Sequence, residues 1–108
     1  MLLTLLTLVA QAATPALPPL NAMQQGALTC SAAFALDARR SGSDEAQQGR
    51  EREFFVRSLA QIMDETAADR DTIVALVGTE ATRLAAAPED LDAILPACRS
   101  LLESSGIR

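Results

Sequence analysis

The sequence predicts an all-α fold: a small bundle of about four helices in which a disulfide joins the first and last helix. Alanine is the commonest residue and the three Phe are the only aromatic residues, a composition that favours helices. Apolar residues recur at helical spacing between residues 88 and 102. The two cysteines, Cys30 and Cys98, lie on apolar helix faces near opposite ends of the chain.

Length and charge narrow the possible functions. A chain of 108 residues is long enough for one domain with one core. The net charge of −5 argues against a nucleic-acid partner. All nine basic residues are Arg, and the absence of His and Lys removes imidazole ligands, Schiff-base amines and the usual general bases. We therefore expect no catalytic residue, no metal site and no cofactor.

The N-terminus has the pattern of an export signal. Residues 1–12 combine a short apolar run with Ala10 and Ala12 at the −3 and −1 positions of a cleavage site, although no Lys or Arg precedes the run. A buried helix and a membrane anchor are the alternatives, but the run is shorter than the roughly 20 apolar residues that a membrane span needs. We expect a signal peptide, an exported (periplasmic or secreted) protein, and no stable membrane span after cleavage.

Residues 13–20 form a Pro-rich leader, because proline disfavours helix, and residues 21–108 form the helical domain. The first helix begins after Asn21, a favourable N-cap residue, and runs to about Arg39. Its apolar face comprises Met23, Ala27, Cys30 and Phe34.

The second helix is predicted from Gly49 or Arg50 to Thr66, and an earlier start within residues 44–48, with Ser43 as cap, is the alternative. Arg50, Glu51, Arg52, Glu53 and Arg57 are expected to lie largely outside the core. Phe54 and Val56 are predicted at the borders of the buried face, which comprises Phe55, Leu59, Ile62 and Met63.

The third helix is predicted from about Arg70 to Ala86, with Asp69 as its N-cap residue. The fourth begins near Pro88, because proline is favoured in the first turn, and ends at Ser104-Ser105-Gly106. Pro96 interrupts its hydrogen bonding. We expect one kinked helix there, because the apolar spacing continues on both sides of the proline.

Cys30 and Cys98 are expected to form a structural disulfide, as two cysteines in an exported chain commonly do. Two free thiols are the alternative. Redox catalysis is disfavoured because it usually requires two neighbouring cysteines, and two cysteines without histidine do not make a normal zinc site.

Three other groups of residues are candidate sites. Gly78, Ala81 and Ala85 form a line of small side chains, which predicts either close helix packing or a partner surface. Glu80 is a candidate acid, or simply an ion-pair partner of Arg83. An arginine cluster predicts either an anion site or, because Glu51 and Glu53 neutralise it, a solvated face; its members are Arg50, Arg52 and Arg57.

Residues 64–71 are rich in acids but do not fit a calcium loop. Counted from Asp64, Asp69 and Ala75 occupy the positions that require Gly and Glu in an EF-hand. Capping of the third helix by Asp69 is the preferred interpretation.

Three short motifs resemble those of small, uncharacterised exported bacterial proteins that are helical and contain two cysteines. They are Cys30-x-x-x-Phe34, Phe54-Phe55-Val56-Arg57 and Leu95-Pro96-Ala97-Cys98. This resemblance covers most of the chain after the signal and implies no activity. Periplasmic acid-stress chaperones are similar in architecture, being small helical proteins with one long-range disulfide, but this chain lacks their lysine-rich character.

We therefore expect a non-enzymatic, exported helical domain of the bacterial envelope that interacts with another envelope protein. The alternatives are an acid-stress chaperone, which would expose apolar surface when its carboxylates are protonated, and a carboxylate-dependent enzyme.

Overall fold

The computed structural model describes residues 19–42 and 44–108, which form four α-helices and, within these ranges, no β-strand. The helices are α1 (Ala22–Ser41), α2 (Glu45–Thr66), α3 (Arg70–Ala85) and α4 (Pro88–Ser104). The predicted all-α fold of four helices is confirmed. The predicted signal peptide, residues 1–12, and residues 13–18 of the leader lie outside the described residues.

Side-chain caps fix the starts of the first three helices. Asn21 Oδ1 accepts a hydrogen bond from the Gln24 amide at 2.8 Å, and Gln24 Oε1 accepts one from the Asn21 amide at 2.9 Å, which makes a complete capping box. Asp44 and Asp69 accept hydrogen bonds from the amides of Gln47 and Thr72, respectively. The predicted caps Asn21 and Asp69 are confirmed. Helix α2 takes the earlier of its two predicted starts, but its N-cap residue is Asp44 and not the predicted Ser43.

The fourth helix begins with Pro88 and has no side-chain cap. Its acidic first turn, Glu89 and Asp90, compensates in part because negative charge is favourable at a helix N-terminus. The helix continues through Pro96, which is exposed to solvent, and ends at Ser104. The prediction that one helix spans the proline is confirmed.

Helix α1 lies at the centre of the bundle and contacts each of the other three helices. Its Ala32 and Ala33 are completely buried. Such small side chains allow neighbouring helices to approach α1 closely. The other helices therefore pack around α1, and their mutual contacts are fewer.

The larger of two core clusters joins α1, the first half of α2, the end of α3 and α4. The rings of Phe34 and Phe54 meet edge to face, with centroids 5.6 Å apart. Cys30 and Cys98 are bonded to each other inside this cluster, so the predicted disulfide between α1 and α4 is present. Its remaining buried members are Ala32, Ala33, Leu84, Leu91, Leu95, Leu102 and Ile107.

The smaller core cluster joins α1, the second half of α2 and α3. Its buried members are Leu28, Leu59, Ile62 and Ile73, and Leu20 packs against it. Helix α2 packs mainly against α1, and it also contacts α4 near its start and α3 near its end.

Three details of the structure differ from the predictions made from the sequence. Phe54 is buried, with 5% of its surface exposed, whereas Phe55 is half-buried; the prediction had assigned these roles the other way round. Glu51, expected outside the core, is only 6% exposed. Met23 is 73% exposed because it lies in the first turn of α1, where Gln24 is the residue that turns inward.

Two glycines provide a matched test of helix stability. Gly78 is exposed in the middle of α3, and a Cβ added there would meet no atom within 4 Å. Gly78→Ala should raise the free energy of unfolding by about 1 kcal/mol, because alanine is the better helix former. Gly42 follows α1 with φ of 65°, so Gly42→Ala should lower the free energy of unfolding. Urea titrations of both variants measure these changes, and a loss of stability in Gly78→Ala would contradict the packing described for α3.

The disulfide should account for a large part of the stability of the domain. It links residues 68 positions apart, and closing a loop of this length stabilises a fold by about 4 kcal/mol in the chain-entropy model. Urea unfolding with and without reductant measures the difference, and mass spectrometry after alkylation counts the thiols. Two alkylated thiols in protein that has never been reduced would contradict the bond.

Candidate binding site

A cavity of about 290 Å³ lies where α1, α2 and α3 meet, and we call it the apolar cavity. Helix α1 forms one side of it, α2 forms another, and Val77 is the contribution of α3. Most of its accessible lining is apolar. The lining residues are Ser31, Phe34, Ala35, Ala38, Gln48, Glu51, Arg52, Phe55 and Val77.

A second cavity of about 290 Å³, the polar cleft, lies between α1, the start of α2 and the end of α4. Glu51 lines both this cleft and the apolar cavity, so its side chain lies on the wall between them. The cleft is lined by Asp37, Ser41, Gln47, Arg50, Glu51, Arg99, Leu102 and Glu103.

The carboxylate of Glu51 is buried without an ion pair. Its Oε2 atom accepts a hydrogen bond from Gln47 Nε2 at 2.8 Å. Among residues 19–42 and 44–108, no arginine nitrogen lies within 4 Å of it. Burial raises the pKa of Glu51 and nearby Asp37 raises it further, against the opposing influence of Gln47, Arg99 and Arg50.

Asp37 is a second buried carboxylate in the same molecule, and its charge is compensated by ion pairs. It too is 6% exposed. Its Oδ2 atom lies 3.0 Å from Arg99 Nη2 and its Oδ1 atom lies 3.5 Å from Arg40 Nη2. Arg40 also pairs with Asp92 of α4. The charge of Asp37 is therefore neutralised by two arginines, whereas that of Glu51 is not neutralised by direct contact.

The three arginines predicted as a cluster do not converge. Arg50 lines the polar cleft and donates from Nη1 to Gln47 Oε1 at 3.0 Å. Arg52 lines the apolar cavity. Arg57 pairs with Glu53 at 2.8 Å, as its i,i+4 spacing predicts.

Glu80 is held in an ion pair. Its Oε1 atom lies 2.6 Å from Arg83 Nη2 and accepts a hydrogen bond from Thr29 Oγ1 of α1 at 3.0 Å. Arg83 lowers the pKa of Glu80, and the hydrogen bond from Thr29 lowers it further. Of the two predicted roles, pairing with Arg83 is the one that the structure shows.

The three small residues that were predicted as a partner surface are not equally exposed to solvent. Gly78 and Ala85 are exposed, whereas Ala81 is half-buried and packs against the larger core cluster. A side chain at Gly78 would meet no neighbouring helix, so close helix packing does not explain this glycine. The role of Gly78, Ala81 and Ala85 as a partner surface stays a prediction.

Sequence reasoning missed Glu51 as a site residue. The available signal was its spacing, because Glu51 lies three residues before Phe54 and therefore shares a helix face with it. That signal becomes visible once Phe54 rather than Phe55 is assigned to the core.

Two classes of feature are missing from the described ranges. Residues 19–42 and 44–108 contain no cluster of three or more Cys, Asp or Glu side chains arranged to hold a metal ion. None of the helices in these ranges is both long and apolar enough to cross a membrane.

The unpaired charge of Glu51 should make stability depend on pH in a defined direction. Its pKa is raised in the folded state above the ordinary value of 4.5. The stability contributed by the protonated carboxyl is therefore fully present below the unfolded pKa and is lost as the pH rises through the folded pKa. Glu51→Gln keeps the shape and removes the charge, so it should raise the melting temperature by a few degrees at pH 7 and leave it nearly unchanged near pH 4.

The control for this measurement is Glu53→Gln, which removes an exposed carboxylate two residues away. Exposed ion pairs contribute at most about 1 kcal/mol, so this variant should not gain stability at pH 7. A lower melting temperature for Glu51→Gln at pH 7 would mean that the protein already compensates the charge of Glu51.

Comparisons of the chain with protein-family models, with curated proteins and with solved structures found no match. The functional interpretation therefore depends on the geometry of the chain itself, and above all on the apolar cavity and the buried carboxylate in its wall.

Proposed function

We propose that this chain is a non-enzymatic, exported helical domain of the bacterial envelope that binds another envelope protein through the apolar cavity. The observation that carries the proposal is the apolar cavity itself, which opens between three helices and has a buried carboxylate in its wall. Concave, mostly apolar sites with a few polar groups are where proteins commonly bind their ligands.

Export is supported by the disulfide. The Cys30–Cys98 bond lies in the core and is compatible with an oxidising compartment, where structural disulfides persist. The signal-like pattern of residues 1–12 supports the same conclusion from the sequence.

A binding role is supported by the surface around the apolar cavity. Ala35 is exposed on the α1 side, so the cavity is accessible there. Val56, 52% exposed, lies four residues after Arg52 and directly after Phe55, which extends the apolar surface along α2. An aromatic side chain and an arginine at the edge of an apolar cavity are residue types that are enriched in protein interfaces.

A non-enzymatic role is supported by the state of the buried and half-buried carboxylates. Asp37 and Glu80, which lie on α1 and α3, are paired with arginines and serve the packing of the bundle. Glu51 then remains as a single carboxylate beside an apolar cavity, an arrangement that suits recognition without a second acid–base group.

Site-specific cross-linking tests the proposal. A photoreactive amino acid placed at Val56, beside the cavity-lining Phe55, should form one defined adduct with an envelope protein of the native organism. Ala35→Gln, which puts a larger side chain into the cavity, should reduce this adduct about tenfold or more, a loss that corresponds to roughly 1.4 kcal/mol. Mass spectrometry identifies and quantifies the adduct.

Ala93→Gln is the matched control, because Ala93 is exposed on α4, a helix that does not line the apolar cavity. The control should leave the adduct unchanged, and thermal melts of both variants should match the parent. An adduct that survives Ala35→Gln, or the absence of any specific adduct, would overturn the proposal.

A further inference from the structure

We propose that the apolar cavity receives a lysine side chain of the partner, with the methylene stem against the apolar walls and the ammonium group at the carboxylate of Glu51. This inference rests on the proposed function, since it names the chemistry by which the partner is recognised.

The first step is the contrast between the two buried carboxylates. Asp37 has Arg99 and Arg40 as ion-pair partners, whereas Glu51 has none among the described residues although it is equally buried. A buried charge without a partner is costly, and a cation brought to it offsets that cost. Because Glu51 lines the apolar cavity, a ligand cation that reaches its carboxylate there would offset this cost.

The second step is the fit of lysine to this cavity. The volume of about 290 Å³ is at the lower limit for small-molecule sites, which begin at about 300 Å³, so one long side chain suits it. Lysine combines an aliphatic stem with a compact ammonium group. Arginine would bring a larger, planar guanidinium group, which pairs best with both oxygens of a carboxylate at once.

The third step identifies the source of the lysine. All nine basic residues of this chain are Arg, so a second copy of the chain has no lysine to offer. The net charge of −5 attracts a basic partner at long range. The lysine must therefore come from a different protein.

Charged groups of both signs surround Glu51, so a test must separate the binding of a cation from the binding of an anion. Asp37 of α1 opposes the ionised form of Glu51, and Arg50 of α2 and Arg99 of α4 favour it. Arg52 also lines the apolar cavity and is exposed, so its positive charge would favour an anionic ligand instead. Head-group charge is therefore the variable to change while the apolar body stays constant.

Nuclear magnetic resonance titration of the full disulfide-bonded domain with three six-carbon probes makes this comparison. Hexylammonium should shift the signals of Ala35 and Val77, and it should bind about tenfold or more tightly than 1-hexanol or hexanoate, as expected for a hydrogen bond to a charged group. Glu51→Gln should abolish this preference and leave hexanol binding within about twofold. Arg52→Gln should leave the preference for hexylammonium unchanged.

Three outcomes would overturn the inference: equal binding of hexylammonium and hexanol, tighter binding of hexanoate that Arg52→Gln removes, or hexylammonium shifts that Ala35→Gln does not reduce. The result is separable from the test of the proposed function. If the adduct is sensitive to Ala35→Gln but hexylammonium is not preferred, the envelope partner is supported and its recognition through lysine is rejected. A clear preference for hexylammonium without any adduct would retain the cation site and reject the envelope partner.

Discussion

The bond between Cys30 and Cys98 is the constraint on which the arrangement of this bundle depends. Helix α1 packs against α2, α3 and α4 at once, and α4 is the most distant of the three in the sequence. The disulfide holds α4 against α1 within the larger core cluster. With that contact fixed, the end of α4 approaches the start of α2, and Asp37, Arg99 and Glu51 come together between the helices.

The structure places a charge where a neutral group would be less costly. Glu51 occupies a core-facing position on α2, where an apolar residue would pack without desolvating a carboxylate. Proteins commonly sacrifice some stability in this way at sites that serve a function. The neighbouring Asp37, with its two arginines, shows that the same fold can neutralise a buried carboxylate that has a structural role.

The sequence was sufficient to predict the helices, the caps of α1 and α3, and the disulfide, since these depend on local spacing and on residue types with strong positional preferences. Asn21, Asp69 and Pro88 mark helix starts through interactions confined to one turn. The exchange of Phe54 and Phe55 had a different origin. A buried face that includes Phe54 and one that includes Phe55 both fit the apolar spacing of α2. Only the packing of α2 against α4 at one end and α3 at the other decides between these two faces. Glu51 was missed for the same reason, and with it the site.

The closed loop has a consequence for the resistance of the domain to proteases. The connection between α2 and α3, residues 67–69, contains Ala67 and Asp69, which are both exposed, and Ala67 has a φ of 61°. Loops of this kind are where a protease cuts first. Because that connection lies between Cys30 and Cys98, a cut there leaves two helical hairpins, α1–α2 and α3–α4, that are still covalently joined. A single cleavage would therefore break the chain without separating its halves, and the two hairpins would remain paired around α1.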